Sequence, residues 1–162
     1  MAAVDYFLKI EGIPGEATDH KHKDEINVLS FSFGASQAGT MAFGGGGGAG
    51  KVSMQDFHFM QNVCKASPKL FLACATGEHI KSAVLTCRKA GKEQQEYLKV
   101  KFSDLLISSY QVNGAGDSNH LPTDSVSFNF SKIEWDYQIQ DEKGQLKPGA
   151  KAGYSLKEMK AV

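Results

Sequence analysis

Gly45-Gly46-Gly47-Gly48-Ala49-Gly50-Lys51 matches the first seven positions of a phosphate-binding loop, in which glycine amides cradle phosphates and the lysine reaches them. The eighth position is Val52, where a serine or threonine must hold magnesium. Such a loop also needs a helix behind it, because the helix N-terminus supplies the anion site, and here a period-two pattern follows. A flexible glycine loop ending in a solvated lysine is the reading these residues support. His20 and His22 can put two imidazoles on one side of an extended segment, but Lys21 and Lys23 flank them and no third ligand is identifiable. A solvated, charged loop is expected there. His58 stands between Phe57 and Phe59 and faces either a core or a ligand; a strand histidine with a satisfied hydrogen bond is the default.

Cys64, Cys74 and Cys87 are odd in number and contain no C-x-x-C pair, which predicts reduced core thiols rather than a disulfide framework or a zinc site. No Gly-x-Ser-x-Gly elbow is present, and the acidic pairs Asp24-Glu25 and Asp141-Glu142 read as charged turns. The expectation is no catalytic residue, no cofactor and no metal. Phe31-Ser32-Phe33 and Phe128-Asn129-Phe130 resemble stacking platforms, but without interleaved basic residues they read as strand core plus interface.

Positioning these residues is the task of a β framework. Val4, Tyr6, Leu8 and Ile10 alternate with mostly polar neighbours, and Gly12 to Gly15 closes the run as a turn. Further alternating runs lie at 26–33, 52–60, 83–87, 97–112 and 126–139. Two of them change face midway: Ile26 and Val28 give way to Leu29, Phe31 and Phe33, and Val126, Phe128 and Phe130 give way to Ile133, Trp135, Tyr137 and Ile139. Such switches indicate β-bulges and long strands bent around a barrel. One short helix is expected over 67–76, capped by Ser67, with Pro68 in its first turn and Gly77 as its left-handed stop, plugging an end or edge of the barrel. Residues 36–51 hold seven glycines and form an extended loop that only a partner would order. Residues 113–117 read as a hairpin loop, and 141–153 as a polar connection to a last short strand near Tyr154. The whole chain, 1–162, reads as one mainly β domain.

The 18 basic residues balance the 18 acidic ones, so no positive field draws nucleic acid or an anionic membrane, while near-zero net charge tolerates self-association. The N-terminus has no basic n-region and no segment reaches the length of a membrane span. Folding in the cytoplasm, and any exit by a route that reads no cleavable signal, are expected.

Several separated motifs, in order along nearly the whole chain, resemble the Hcp (hemolysin-coregulated protein) family of the type VI secretion system. They are Val28-Leu-Ser-Phe-Ser-Phe-Gly-Ala-Ser-Gln-Ala-Gly39, Gly44-Gly-Gly-Gly-Gly-Ala-Gly-Lys-Val52, Ser67-Pro-Lys-Leu, Ala73-Cys-Ala-Thr-Gly77, Arg88-Lys-Ala-Gly91 and Glu96-Tyr-Leu98. The resemblance implies a compact two-sheet β-barrel with one short helix and an extended glycine-rich loop, assembled as a hexameric ring. Such rings stack head to tail into a tube inside a contractile sheath, tipped by a spike protein, and contraction expels the tube from the cytoplasm into the medium or a target cell. Stacking contacts are then expected from Ser36, Gln37, Thr40, Met41, Gly44, Gly46, Gly48, Gly50 and Lys51. Ser32 is implied to face a lumen that shelters small effector proteins. The toxin domain that some members carry at the C-terminus is not expected, because the chain ends at Val162 directly after the last strand. The rival class is a small-ligand or carbohydrate-binding β-barrel, suggested by ten phenylalanines and the loop; it predicts a monomer or dimer with a pocket.

Overall fold

The structure is a computed structural model that describes residues 4–39, 51–90, 94–117 and 119–162. In chain order its elements are β1 (Val4–Ile10), β2 (Ile26–Asn27), β3 (Ser30–Ser32), β4 (Ala35–Gln37), β5 (Val52–Met54) and β6 (Phe57–Asn62). There follow α1 (Ala66–Thr76), β7 (His79–Lys89), β8 (Glu96–Asn113), β9 (Thr123–Gln140), β10 (Leu146–Ser155) and β11 (Lys160–Ala161). Nine strands make one antiparallel sheet in the order β11-β10-β9-β8-β7-β1-β2, with β6 joined to β9 and β3 joined to β6. Two 18-residue strands, β8 and β9, form its spine. The C-terminal half of β9 pairs with β10, and its N-terminal half pairs with β6 along the same edge.

The sheet closes on itself at Val28 and Leu29. Val28 donates its N–H to Tyr6 of β1, and Leu29 donates to Met60 of β6, so the chain leaves one wall and joins the other within two residues. The face switch expected inside 26–33 is therefore a change of pairing partner. The switch in β9 has another cause. Buried residues in β8 jump from Phe102 to Leu105 and in β9 from Phe130 to Ile133, while the register stays constant across the jump. The kink lies at Asp104, which adopts φ 56°, and Ser131 of β9 donates to the Asp104 carboxylate at 2.8 Å. The register shift between the two strands lies further along, between Ile107 and Ser109.

Phenylalanine fills the barrel. Phe57, Phe59, Phe102 and Phe128 are fully buried, and the ring centroids of Phe57, Phe102 and Phe128 lie 4.9–5.2 Å apart. Helix α1 seats Leu70 and Ala73 in this core and ends at Gly77 with φ 68°, as its sequence predicts. Its N-cap is Lys65, without a side-chain cap, and not Ser67. The Ser67 hydroxyl is drawn away because it donates to Asp124 on β9, at 2.5 Å, and accepts from the Cys64 amide.

The expected connection over 141–153 is instead the ten-residue strand β10, and the turn is confined to Asp141–Gln145. Pro148 sits at a bulge, where its missing N–H breaks no ladder. Gly149 lies so close to β9 that a Cβ there would stand 2.7 Å from the Tyr137 carbonyl oxygen. The last short strand expected near Tyr154 is the end of β10, and a further short strand, β11, pairs with Tyr154 and Ser155. Among the described residues no helix is long and apolar enough to cross a membrane.

Candidate assembly and binding surfaces

Three surfaces and two buried polar knots organise what the barrel presents. The first surface follows from the kink in β9. Beyond Ile133 the odd-numbered residues leave the core, so Trp135, Tyr137 and Ile139 stand 40%, 45% and 51% exposed in a row. Ala152 and Ala150 of β10 are their cross-strand partners for Trp135 and Tyr137 and add no bulk that would cover them. The Phe33 ring lies 5.2 Å from Trp135, and Phe33, Met54, Phe130, Ile133 and Trp135 line an open apolar cleft of about 390 Å3. The sequence marks this row as apolar; only the kink shows that it is bare.

The second surface is the β4–β5 ribbon. Ser36 and Gln37 lie exposed on β4, paired with Ser53 and Val52, and exposed Lys51 leads into β5. Thr40, Met41, Gly44, Gly46, Gly48 and Gly50 lie outside the described residues. A strand, not a helix, follows Lys51, so the anion site that a phosphate-binding loop needs has no scaffold here.

The third surface is the outward face of β3, β6, β9 and β8. Ser32 pairs across to His58, His58 to Ser127, and Ser127 to Ser109. His58 is half-buried, with Nδ1 2.9 Å from Ser127 Oγ and Nε2 3.2 Å from Ser125 Oγ. The default expected for it, a strand histidine with its hydrogen bonds met, holds. Higher on the same spine the cross-strand pairs are charged: Lys99 faces Asp136 and Lys101 faces Glu134. Ionic and hydroxyl zones are thus separated along one pair of strands.

Two polar knots fix the frame behind these surfaces. Asp124 is fully buried and accepts from Gln61 Nε2 at 2.8 Å, Ser67 Oγ at 2.5 Å and Tyr110 OH at 2.7 Å. Burial, with Asp124 beside it, pushes the Tyr110 hydroxyl up to about 12. The other knot pins the 14–25 loop. Arg88 is buried, donates from Nη2 to Asp19 at 2.8 Å and to Asp5 at 3.1 Å, and lies over the Phe7 ring. The Arg88 guanidinium holds the Asp19 carboxyl well below the usual carboxylate range.

His22 is a correction to the solvated loop expected for His20 and His22. It is buried, stacks on Phe7 at 4.4 Å, and places Nδ1 2.8 Å from Glu25 and Nε2 2.6 Å from Glu96. Burial pushes the Glu96 carboxyl up, but its bonds to His22 and Lys99 outweigh this and hold it low. His20 is exposed. The sequence hides the difference because Glu96 lies 74 residues from His22. The three thiols are free: Cys87 is buried, which pushes its thiol up to about 11, while Cys64 and Cys74 are half-buried.

A packed β-barrel with a bare apolar row, a projecting ribbon and a hydroxyl face is a scaffold that works through its surfaces. Residues 7–137 match the family model described as type VI secretion system effector, Hcp. The chain is 44% identical over 158 residues to protein hcp1 of Pseudomonas aeruginosa, covering 96% of this chain and 97% of that one. Its fold superposes on Hcp1 from Salmonella typhimurium with a TM-score of 0.83 at 38% identity, over 99% of this chain and all of the other. A structure described as a type six secretion system protein gives a TM-score of 0.93 at 30% identity, again over 99% of this chain and 100% of that one. The chain belongs to the Hcp family of type VI secretion tube proteins.

Proposed function

We propose that this chain is the repeating unit of a homohexameric ring, that rings stack head to tail into the secretion tube, and that it has no catalytic activity of its own. The observation that carries the reading is the bare row Trp135, Tyr137 and Ile139 beside the open cleft at Phe33. Aromatic side chains bury roughly 150–250 Å2 each, so covering the exposed halves of this row removes on the order of 250 Å2 from water. At about 25 cal/mol per Å2 that is about 6 kcal/mol of gross attraction per interface, before the cost of fixing two subunits together. A ring closes when such a heterologous contact repeats around an axis.

In this reading residues 1–162 act as one domain. The ribbon bearing Ser36, Gln37 and Lys51, with the glycine loop beyond it, meets the next ring. The face of Ser32 lines the lumen and touches small effector proteins. Spike and contractile sheath proteins are the other partners, and neither nucleic acid nor membrane insertion is involved. The subunit waits in the cytoplasm and leaves with the tube, without a cleavable signal. The small-ligand barrel is the alternative: phenylalanine rings fill the barrel interior, which leaves a ligand surface clefts such as the one at Phe33.

Tyr137→Asp tests the reading, since it places a charge in the centre of the row without touching the core. Light scattering should show the variant as a folded monomer at concentrations where the parent is a ring. A Tyr137→Asp protein that keeps its hexamer would remove this face from ring closure.

A further inference from the structure

We infer that His58, Ser125 and Ser127 form a carboxylate-binding site for an acidic side chain of a polypeptide partner, a site completed when His58 takes up a proton. The inference rests on the reading above only in placing that partner in the lumen.

The argument starts from donor arithmetic. A neutral imidazole has one N–H, yet both His58 nitrogens lie within hydrogen-bond distance of a serine oxygen, Nδ1 of Ser127 and Nε2 of Ser125. One serine must therefore give its proton to the bare ring nitrogen, which leaves a single hydroxyl proton for anything outside. In the imidazolium both nitrogens donate, both serine oxygens accept, and both hydroxyl protons turn outward. Protonation thus adds a positive charge and a second outward donor in one step. Charge-assisted bonds to an ionised acceptor are about twice as strong as neutral ones. Ser32, directly across the strand pair, brings a third hydroxyl to the same face.

The groups around His58 leave this role to it. On β3 the neighbours are Ser30 and Ser32, and on β8 they are Ser109 and Gln111, none of which is charged. On β9, Asp124 faces inward and is occupied by Gln61, Ser67 and Tyr110. Asp56, two residues before His58, is the carboxylate nearest in sequence, and Ser108 donates to it at 2.5 Å. No lysine or arginine stands among the described residues of these strand segments, 30–32, 57–62, 105–113 and 123–131. A carboxylate arriving here therefore meets one cation, His58, and a partner offering only amides gains nothing from its charge.

The test uses the intact ring and two fluorescein-labelled peptides, Glu-Ser-Glu-Ser-Glu and Gln-Ser-Gln-Ser-Gln, in low salt. Anisotropy is read at about pH 8 and about pH 5.5, either side of the ordinary imidazole range. The acidic peptide should bind up to about fivefold tighter at the lower pH, the upper range for one exposed ion pair. In His58→Gln this gain should disappear, and His58→Lys should bind the acidic peptide well at both pH values. The glutamine peptide should not respond to pH. If His58→Gln keeps the full pH gain, or His58→Lys binds no better than His58→Gln, the site is wrong. A Ser32→Cys variant tests the lumen separately. In the ring it should react with a bulky maleimide-polyethylene glycol far more slowly than Glu158→Cys. Equal rates would refute the enclosed lumen while the peptide result still decides the site.

Discussion

Asp124→Ala should be among the most damaging substitutions on a polar residue in this barrel. The carboxylate is fully buried, has no cation beside it in its hydrogen-bond set, and is held by Gln61, Ser67 and Tyr110 at 2.5–2.8 Å. Removing it strands three donors, each costing roughly 1–3 kcal/mol. Relief from burying a charge offsets part of this, which leaves about 4 kcal/mol. For a chain of this size that corresponds to a fall in Tm of about 8–16 °C. Asp124→Asn should cost less, about 1–2 kcal/mol, because the Tyr110 hydroxyl can turn round and accept from the new amide. Thermal unfolding at equal protein concentration, with assembly state checked by light scattering, measures both, since association itself adds stability. Because β9 and α1 meet through this residue, the loss should be accompanied by faster hydrogen exchange in 66–76. A Tm for Asp124→Ala within about 2 °C of the parent, or an Asn variant as weak as the Ala variant, would refute the reasoning.

Two further outcomes follow from the polar contacts that hold the 14–25 loop and from the kink at Asp104. His22→Gln loses the ring that stacks on Phe7 and carries its two donor hydrogens on one nitrogen, which cannot stand at both ring-nitrogen positions facing Glu25 and Glu96. The 14–25 loop should therefore loosen and trypsin should cleave after Lys21 and Lys23 several-fold faster; unchanged cleavage would mean that Arg88 alone holds the loop. Asp104 is held down to about 2 by its bonds to Ser131, Lys157 and His79, against 3.8 for the free group. Because its folded value is depressed, its stabilisation is present above about pH 4 and lost as pH falls toward 2. Asp104→Asn, which tolerates the same positive φ, should narrow the stability difference between neutral and acid pH in urea titrations. An unchanged difference would show that the carboxylate is not what ties the kink.

What the chain discloses in advance depends on how local the cause is. The alternation of β1 and the helix stop at Gly77 are local, and both are legible. The face switches at 26–33 and 126–139 are visible as patterns, but their causes are not. One is a strand changing partners at Val28 and Leu29, the other a paired kink at Asp104 and Ser131. Strand β10 is invisible because Lys147, Pro148, Gly149 and Ala150 carry loop composition. The strand forms because β9 offers it a ladder, and its small residues let it approach that strand closely. Ser67 and His22 mislead for the same reason, since their partners Asp124 and Glu96 are 57 and 74 residues distant. Of the surfaces, Ser32 is singled out by family resemblance alone, while its setting beside His58, Ser125 and Ser127 emerges only from the register.

The mass of the purified protein, read by size exclusion with light scattering across a range of concentrations, tests the tube-subunit account most directly. The account predicts a species of about 105 kDa, six times the 17.5 kDa chain. A monomer persisting at the highest concentrations would contradict it.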